Sequence, residues 1–383
     1  MVAEVVAGVS LLVWVYLVVG HGRFWRPPAL APVGSDPARW PSVVAILPAR
    51  NEAEVLPRAL AGLVGQDYRG PFRVLVVDDA STDGTGDLAA RAGTARVRTD
   101  VAHSCGPPAG WSGKVAAMAR GVAAAGEPDY LLFTDADIVH PPHSVTRLVQ
   151  AATERELDLV SQMVRLRTES SWERLLVPAF VYFFAQLYPF PRVNGPGRTA
   201  AAAGGCMLVR RAALERAGGL AAIRGALIDD VALGRLLKRG GRTWLGVAPD
   251  VLSIRPYPRL ADLSQMVARS AYTQLRHSPL LLLGTVVGLL LVYAVPPVAL
   301  VAGLALGRGL LAALGGAAWL LMSVTYVPLL RLHRVPSWWA PVLPLVAVLY
   351  AGMTVDSAWR HLRGRGGAWK GRVIPSRAAA PRR

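Results

Sequence analysis

The chain is poor in several of the residues that define familiar protein classes. It has only two cysteines in 383 residues, Cys105 and Cys206. Two such positions give neither a disulfide framework nor a metal-ligand spacing, so a reduced, cytoplasmic setting is expected. Charged residues make up 17% of the chain, low for a soluble protein. Acidic residues are scarcer than basic ones, and the formal charge is +17, nearly all of it from arginine. There is no zinc-finger spacing, RNA-binding aromatic signature or block of basic residues, so nucleic acid is not the expected partner. Two phosphate-binding patterns are also missing, G-x-G-x-x-G after a strand and G-x-x-x-x-G-K-[ST]. No repeat of 20–50 residues is present.

What the chain has in excess is apolar residues, at 53%, concentrated at its two ends. Val5 to Gly20 is apolar apart from Ser10. With the first residues it is just long enough to span a bilayer. It lacks the basic start and cleavage site of a secretory signal, and His21, Arg23, Phe24, Trp25 and Arg26 follow as an interfacial anchor. An uncleaved anchor over residues 1–21, with its N-terminus outside, is the reading adopted. Residues 22–41 hold five prolines and read as a semi-rigid linker. Leu280 to Leu306 and Leu310 to Leu330 are each long enough to cross, within a membrane region of residues 279–357. Trp338 to Val355 is short and carries Pro341 and Pro344. Four crossings from an outside N-terminus would put the basic tail, residues 358–383, outside, against the positive-inside rule. A non-crossing or re-entrant last segment removes that conflict. Juxtamembrane attraction to anionic lipid accounts for the arginine excess, at roughly 1 kcal/mol per basic residue near the surface.

Between these ends, residues 42–278 read as an α/β domain. Ser42–Leu47, Phe72–Val77, Tyr130–Thr134 and Leu159–Leu166 are expected strands, and Arg96–Arg98 a short one. Glu54–Gly65, Asp87–Ala92, Lys114–Ala125, Pro141–Ala152 and Val231–Lys238 are expected helices. Trp172–Tyr188 is apolar and aromatic, interrupted by Pro178, and reads either as a buried helix or, the reading preferred, as one lying in the membrane interface. Alternating strands and helices imply a mostly parallel sheet, with ligand bound beyond the carboxyl ends of its strands.

Three of those ends are charged. They are Pro48-Ala49-Arg50-Asn51-Glu52, Asp78-Asp79-Ala80-Ser81 and Asp135-Ala136-Asp137. Side chains two apart on a strand share a side, so Asp135 and Asp137 can lean toward one point. Two hard oxygen ligands suit Mg²⁺ or Mn²⁺; a polar turn is the plain alternative. Lys114 opens a helix after a glycine, where charge and helix terminus together can meet a phosphate, or it is a solvated first-turn lysine. Asp229 or Asp230 can cap the next acidic-started helix or act as a general base. The small-residue run Ala200–Gly205 allows backbone to approach a bulky ligand.

Taken as a set, these stretches resemble the membrane-bound family 2 glycosyltransferases with the A fold, an α/β nucleotide-binding sheet flanked here by transmembrane helices. Ile228-Asp229-Asp230 completes the set, which covers roughly residues 42–280. Three further stretches are similar to the hopene-associated glycosyltransferases of bacteria. These are Gly110-Trp111-Ser112-Gly113-Lys114, Ala271-Tyr272-Thr273-Gln274-Leu275-Arg276 and Trp369-Lys370-Gly371-Arg372. The resemblance implies a multi-pass protein of the inner membrane, with the domain cytoplasmic. It would carry a sugar from a UDP-sugar to a lipid acceptor such as a hopanoid, with inversion. By the same resemblance Ala49, Arg50, Glu52 and Asp79 would meet the nucleotide. Asp135 and Asp137 would hold the diphosphate through Mg²⁺ or Mn²⁺, helped by Lys114 or Arg276. Asp230 would be the base, and Gln274 and Arg276 would serve the donor or acceptor side. Processive relatives carry Q-x-x-R-W; this chain has Gln274-Leu275-Arg276-His277, which argues against chain polymerisation. A processive polysaccharide synthase and a non-catalytic nucleotide-binding scaffold are the alternatives.

Overall fold

The computed structural model describes residues 1–31 and 36–363, and the backbone of 368–369 and 372–373. The stretch Trp369-Lys370-Gly371-Arg372 and the rest of the basic tail have no described side chains.

The apolar, β-branched runs form the strands, and all seven residues of β1 (Val43–Ala49) are buried. Then follow α2 (Leu56–Val64), β2 (Phe72–Asp79), α3 (Thr85–Ala90), β3 (Arg98–Ser104), α4 (Gly113–Ala124) and β4 (Tyr130–Thr134). The N-terminal helix α1 is Val2–Val19. The third strand begins where the expected one ends, because Val97 and Thr94 close a turn ahead of it. Next come β5 (Ile138–Val139), α5 (Ser144–Glu154), β6 (Leu159–Arg165), α6 (Ser171–Leu187) and α7 (Phe190–Asn194). The domain closes with β7 (Cys206–Arg210), α8 (Arg211–Arg216), α9 (Asp229–Lys238), β8 (Thr243–Ser253) and α10 (Leu260–Gln274).

The sheet has eight strands in the order β3-β2-β1-β4-β7-β6-β8-β5. β3, β2, β1 and β4 are parallel, as is the pair β6–β8. β7 runs antiparallel to both β4 and β6, and β5 antiparallel to β8. The order reverses between β1 and β4, so their carboxyl ends flank a crevice. Residues 22–31 and 36–41 are not a free spacer: Val247 N–H donates to Pro28 C=O at 2.8 Å, and Trp40 packs edge-on against Tyr68.

Four helical segments are long and apolar enough to cross a membrane: Val2–Val19, Pro279–Ala305, Gly309–Leu332 and Ser337–Leu362. The second contains α11 (Pro279–Leu289), a π turn at Leu290–Ala294 and α12 (Val295–Ala305). The π turn frees carbonyls from the helical ladder, and two of its carbonyls take side chains of α1. Ser10 Oγ donates to Leu291 C=O at 2.8 Å and Trp14 Nε1 to Val292 C=O at 2.7 Å.

α13 is Gly309–Leu332, and α14 (Leu343–Leu362) follows a 3-10 turn at Ser337–Val342. At the far end of the bundle Arg308 pairs with Glu4. At the near end α1 meets the domain, where Arg192 donates to Gly20 C=O at 2.6 Å. α13 also finishes at the domain, since Thr168 Oγ1 donates to His333 C=O at 3.0 Å. The chain then climbs back to mid-bundle, where Trp319 Nε1 donates to Pro341 C=O at 3.1 Å. α14 returns to the domain: Ser357 Oγ accepts from Tyr272 N–H at 3.0 Å and donates to Ala268 C=O at 2.5 Å. Both ends of this last segment therefore lie on the domain side.

Helix α6 corrects its expected place. Leu176, Val177, Ala179, Val181, Tyr182 and Ala185 are fully or almost fully buried and share one apolar core with α1, α13 and α14. It is a packed core helix, continuous through Pro178. Its entry is fixed by a reciprocal cap between Ser170 and Glu173.

Candidate active site

The two loops leaving β1 and β2 are stapled into one unit. Arg50 Nη1 donates to the Asp79 carbonyl at 2.6 Å, and Asn51 Oδ1 accepts from Thr82 N–H at 2.9 Å. Ala53 N–H donates to Asp83 at 3.0 Å. Asn51 and Ala80 both adopt positive φ, +51° and +53°, as the chain turns sharply out of the strands. Ala49 and Asp79 are buried, and Asp79 Oδ1 accepts from Ser104 Oγ at 3.0 Å. Of the four residues expected at the nucleotide, Glu52 alone lines the central cavity. Ala49, Arg50 and Asp79 build the loop pair beside it.

Lys114 begins α4 and reaches into a ring of carboxylates. Its Nζ lies 2.7 Å from Asp135 Oδ1 and 3.3 Å from Asp229 Oδ2. Burial alone would depress this ammonium; Asp135 and Asp229 hold its pKa above the ordinary range instead. Asp135 is itself pushed up by burial, against the pull of Lys114. Asp137 accepts from Ser253 Oγ at 2.6 Å and from Arg255 Nη2 at 3.2 Å. The same Arg255 nitrogen donates to both oxygens of Glu52, at 2.8 and 2.9 Å. The sharp turn after β4 is held from behind: Thr134 Oγ1 donates to Gly205 C=O at 2.8 Å and meets His140, whose pKa burial lowers to about 4.

Asp229 and Asp230 sit in the first turn of α9. Neither is its N-cap, which is Ile228 with no side-chain hydrogen bond. The capping alternative is therefore set aside. Asp230 accepts from Gly204 N–H at 2.9 Å and from Val231 N–H at 2.7 Å. Burial, then the neighbouring charge of Asp229, raises its pKa to about 6. That is a carboxylate poised to take a proton near neutrality. The small-residue run serves this helix. A Cβ on Gly234 would lie 2.6 Å from the Ala201 carbonyl carbon, so α9 packs directly on residues 200–205. A Cβ on Gly204 would stand 3.1 Å from Lys114 Nζ and 3.3 Å from Asp230 Oδ2.

One cavity of about 610 Å³ joins these groups. Glu52, Lys114, Asp135, Asp137, Asp229 and Asp230 form its polar end. Met163, Leu166, Phe180, Phe184 and Met266 form an apolar wall, with Tyr257, Arg269 and Arg360 also lining it. Gln274 and Arg276 do not. Gln274 Nε2 donates to Tyr188 OH at 2.5 Å, and Arg276 is exposed in a left-handed turn with φ +53°. Gln274 ends α10 and Arg276 lies just past it, while the helix's cavity-lining residues come earlier, at Gln265, Met266 and Arg269. Arg255 was not anticipated. It lies just past β8, and the strand-end argument that singled out Asp135 would have found it had Thr243–Ser253 been read as a strand.

The donor set fits a hard divalent ion in chemistry. Asp135 and Asp137 supply oxygens at the cavity, and Asp135 is 34% exposed toward it. Among the described residues no group of three or more His, Cys, Asp or Glu is arranged as a complete site. Mg²⁺ or Mn²⁺ would thus take one or two carboxylates here and complete its shell from phosphate and water. Lys114 and Arg255 would yield those carboxylates to it.

Residues 44–218 match the family model described as Glycosyl transferase family 2. The chain is 34% identical over 122 residues to an undecaprenyl-phosphate mannosyltransferase of Micrococcus luteus, covering 32% of this chain and 49% of that protein. It is 37% identical over 86 residues to an N-acetylglucosaminyltransferase of Bradyrhizobium sp., covering 21% of this chain and 55% of that one. The chain thus spans about half the length of the curated relatives it matches. Among solved structures it resembles a mannosyltransferase from Pyrobaculum calidifontis in complex with GDP-Man and Mn²⁺. The TM-score is 0.55 at 19% identity, covering 94% of this chain and 99% of that one, a likeness of fold. The match at residues 44–218 covers just under half of the chain, whose mixed α/β sheet has the A-type fold of that neighbour.

Proposed function

We propose that this protein is a membrane-bound, inverting glycosyltransferase that moves one sugar from a nucleotide-sugar to a lipid acceptor. The single observation that carries this reading is the shared cavity. Carboxylates from β4, α9 and the β1 loop open into the same space as the apolar wall of α6 and α10. A soluble acceptor has no need of that wall.

The chemistry is a single displacement. Asp230 takes the proton from an acceptor O–H as that oxygen attacks the anomeric carbon. The new C–O bond forms as the bond from the anomeric carbon to the β-phosphate oxygen breaks. The electron pair leaves with the nucleoside diphosphate. Gly204 N–H and Val231 N–H hold Asp230 in place through this step. Lys114 and Arg255 supply positive charge beside the departing phosphates. A Mg²⁺ or Mn²⁺ on Asp135 and Asp137, as a structural neighbour's Mn²⁺ complex suggests, would add charge neutralisation there. Resemblance favours a UDP-sugar donor and a hopanoid acceptor. The Micrococcus relative's name favours a lipid phosphate.

In the membrane, α1, α11–α12 and α13 would cross, with Glu4 and Arg308 on the outer side. The last segment would be re-entrant, because His333 and Ser357 both bond to the domain side. The domain and basic tail then share the cytoplasmic face, as positive-inside charge requires.

The test is Asp230→Asn in purified protein with labelled nucleotide-sugars and extracted lipids. Transfer should fall by about 10²–10⁴-fold while nucleotide affinity holds. Parallel loss of both would give Asp230 a structural role and overturn the mechanism. A processive synthase would instead yield products with several sugars.

A further inference from the structure

The cavity changes character along its length. Six carboxylates line it, five of them the polar set beside Lys114 and Arg255 and the sixth Asp262, which pairs with Arg259. Two guanidiniums, Arg269 of α10 and Arg360 of α14, line the same cavity as the apolar wall. These helices are locked together by the Ser357 Oγ bond to Ala268 C=O at 2.5 Å. Arg269 follows Ala268 directly, and Arg360 stands one turn beyond Ser357, so both arginines come to the same mouth. Among the described residues Arg360 pairs only with Asp356 on its own helix, at 2.7 Å with both side chains over a third exposed, a pair of little strength. Arg269 has no ion pair among the described residues, and Tyr257 is close enough to feel Arg269, Asp137 and Asp135 together.

We infer that Arg269 and Arg360 form a subsite for a phosphate group on the head of the lipid acceptor, with its chain along Phe180, Phe184 and Met266. This rests on the glycosyltransferase reading above. With a monophosphate head the attacking oxygen is one of the phosphate's own: Asp230 takes its remaining proton, and the guanidinium pair draws that head into the cavity and holds it facing the donor. Arginine suits a phosphate because its planar fork donates two parallel hydrogen bonds.

The experiment compares a polyprenyl monophosphate with the matching polyprenol in vesicles of zwitterionic lipid, using the full-length protein and a labelled nucleotide-sugar. The expected kcat/KM ratio favours the phosphate by at least tenfold. Arg269→Gln should collapse that ratio, Arg360→Gln should reduce it, and Arg269→Lys should restore part of it. Inorganic phosphate should compete weakly against the lipid phosphate in wild type and less in Arg269→Gln. Equal use of the alcohol, or a ratio unmoved by Arg269→Gln, overturns the subsite. So does an effect of Arg269→Gln that appears only when anionic bulk lipid is added, since the arginine would then bind the bilayer. A protein that neither binds nucleotide nor consumes donor with any acceptor would instead fail the broader reading.

Discussion

The two ends of the cavity are built on different principles. The polar end is delivered by strand termini and one helix start, each carrying charge on a short stretch of chain. Asp135, Asp137, Asp229 and Asp230 face one another there because the sheet order reverses beside them. The apolar end has no such local signature. Phe180, Phe184, Met266, Arg269 and Arg360 come from three helices whose packing alone makes them neighbours. Strand-end chemistry fixes the polar end at low cost in sequence, whereas the apolar end is a property of how helices meet.

Four perturbations test that division, taken from the largest expected effect. Lys114→Met leaves the buried Asp229 and the half-buried Asp135 without their shared cation; breaking a buried pair costs about 3–5 kcal/mol, and the exposure of Asp135 puts this case at or below the lower figure. Thermal or denaturant unfolding in detergent should show a loss of that order, confined to the polar end. Asp137→Ala removes a cavity oxygen and one partner of Arg255. Nucleotide affinity in the presence of Mn²⁺ should drop by about 10–100-fold, the loss expected when a metal site is disturbed. Unchanged, metal-dependent titration would remove Asp137 from the donor site.

Phe180→Ala strips apolar wall without touching a carboxylate. Phe180 is half-buried, so its truncation forfeits part of the roughly 1.5–3 kcal/mol of a full burial, and KM for the lipid should rise up to about tenfold while KM for the donor stays. A matched change in both would erase the distinction between the ends. The mildest test is pH. Asp230 is raised from 3.8 to about 6 by burial and by Asp229, and must be ionised to accept a proton. Activity should therefore fall as pH drops through about 6 and be level above it until another group titrates. A limb centred near 4 would mean Asp230 is not the base.

The same division explains what could be read from the residues. The strands of the parallel half, the helix starting at Asp229 and the charged ends at Glu52, Asp135 and Asp137 are local patterns, and each sits at the cavity as its place in the chain implied. Arg50 and Asp79 were read as charges at the ends of two separate strands, yet the staple between the β1 and β2 exits runs through a backbone carbonyl that no sequence pattern displays. Gln274 and Arg276 stood out for their spacing, but α10 turns their neighbours at Gln265, Met266 and Arg269 to the cavity instead. Helix α6 read as interfacial because apolarity alone does not tell a lipid face from a protein face. Its burial against α1, α13 and α14 needed the bundle to be assembled. The last segment drew notice through a charge conflict, and the bonds of Trp319, His333 and Ser357 put both of its ends on the domain side.

The most direct test of a joined cavity is the product itself. Purified protein in vesicles, given a panel of labelled nucleotide-sugars and lipids, should form a lipid carrying a single sugar with inverted anomeric configuration, read by mass spectrometry and NMR. Release of free sugar alone with every lipid, or a product carrying a retained anomer, would contradict a cavity in which donor carboxylates and acceptor wall serve one displacement.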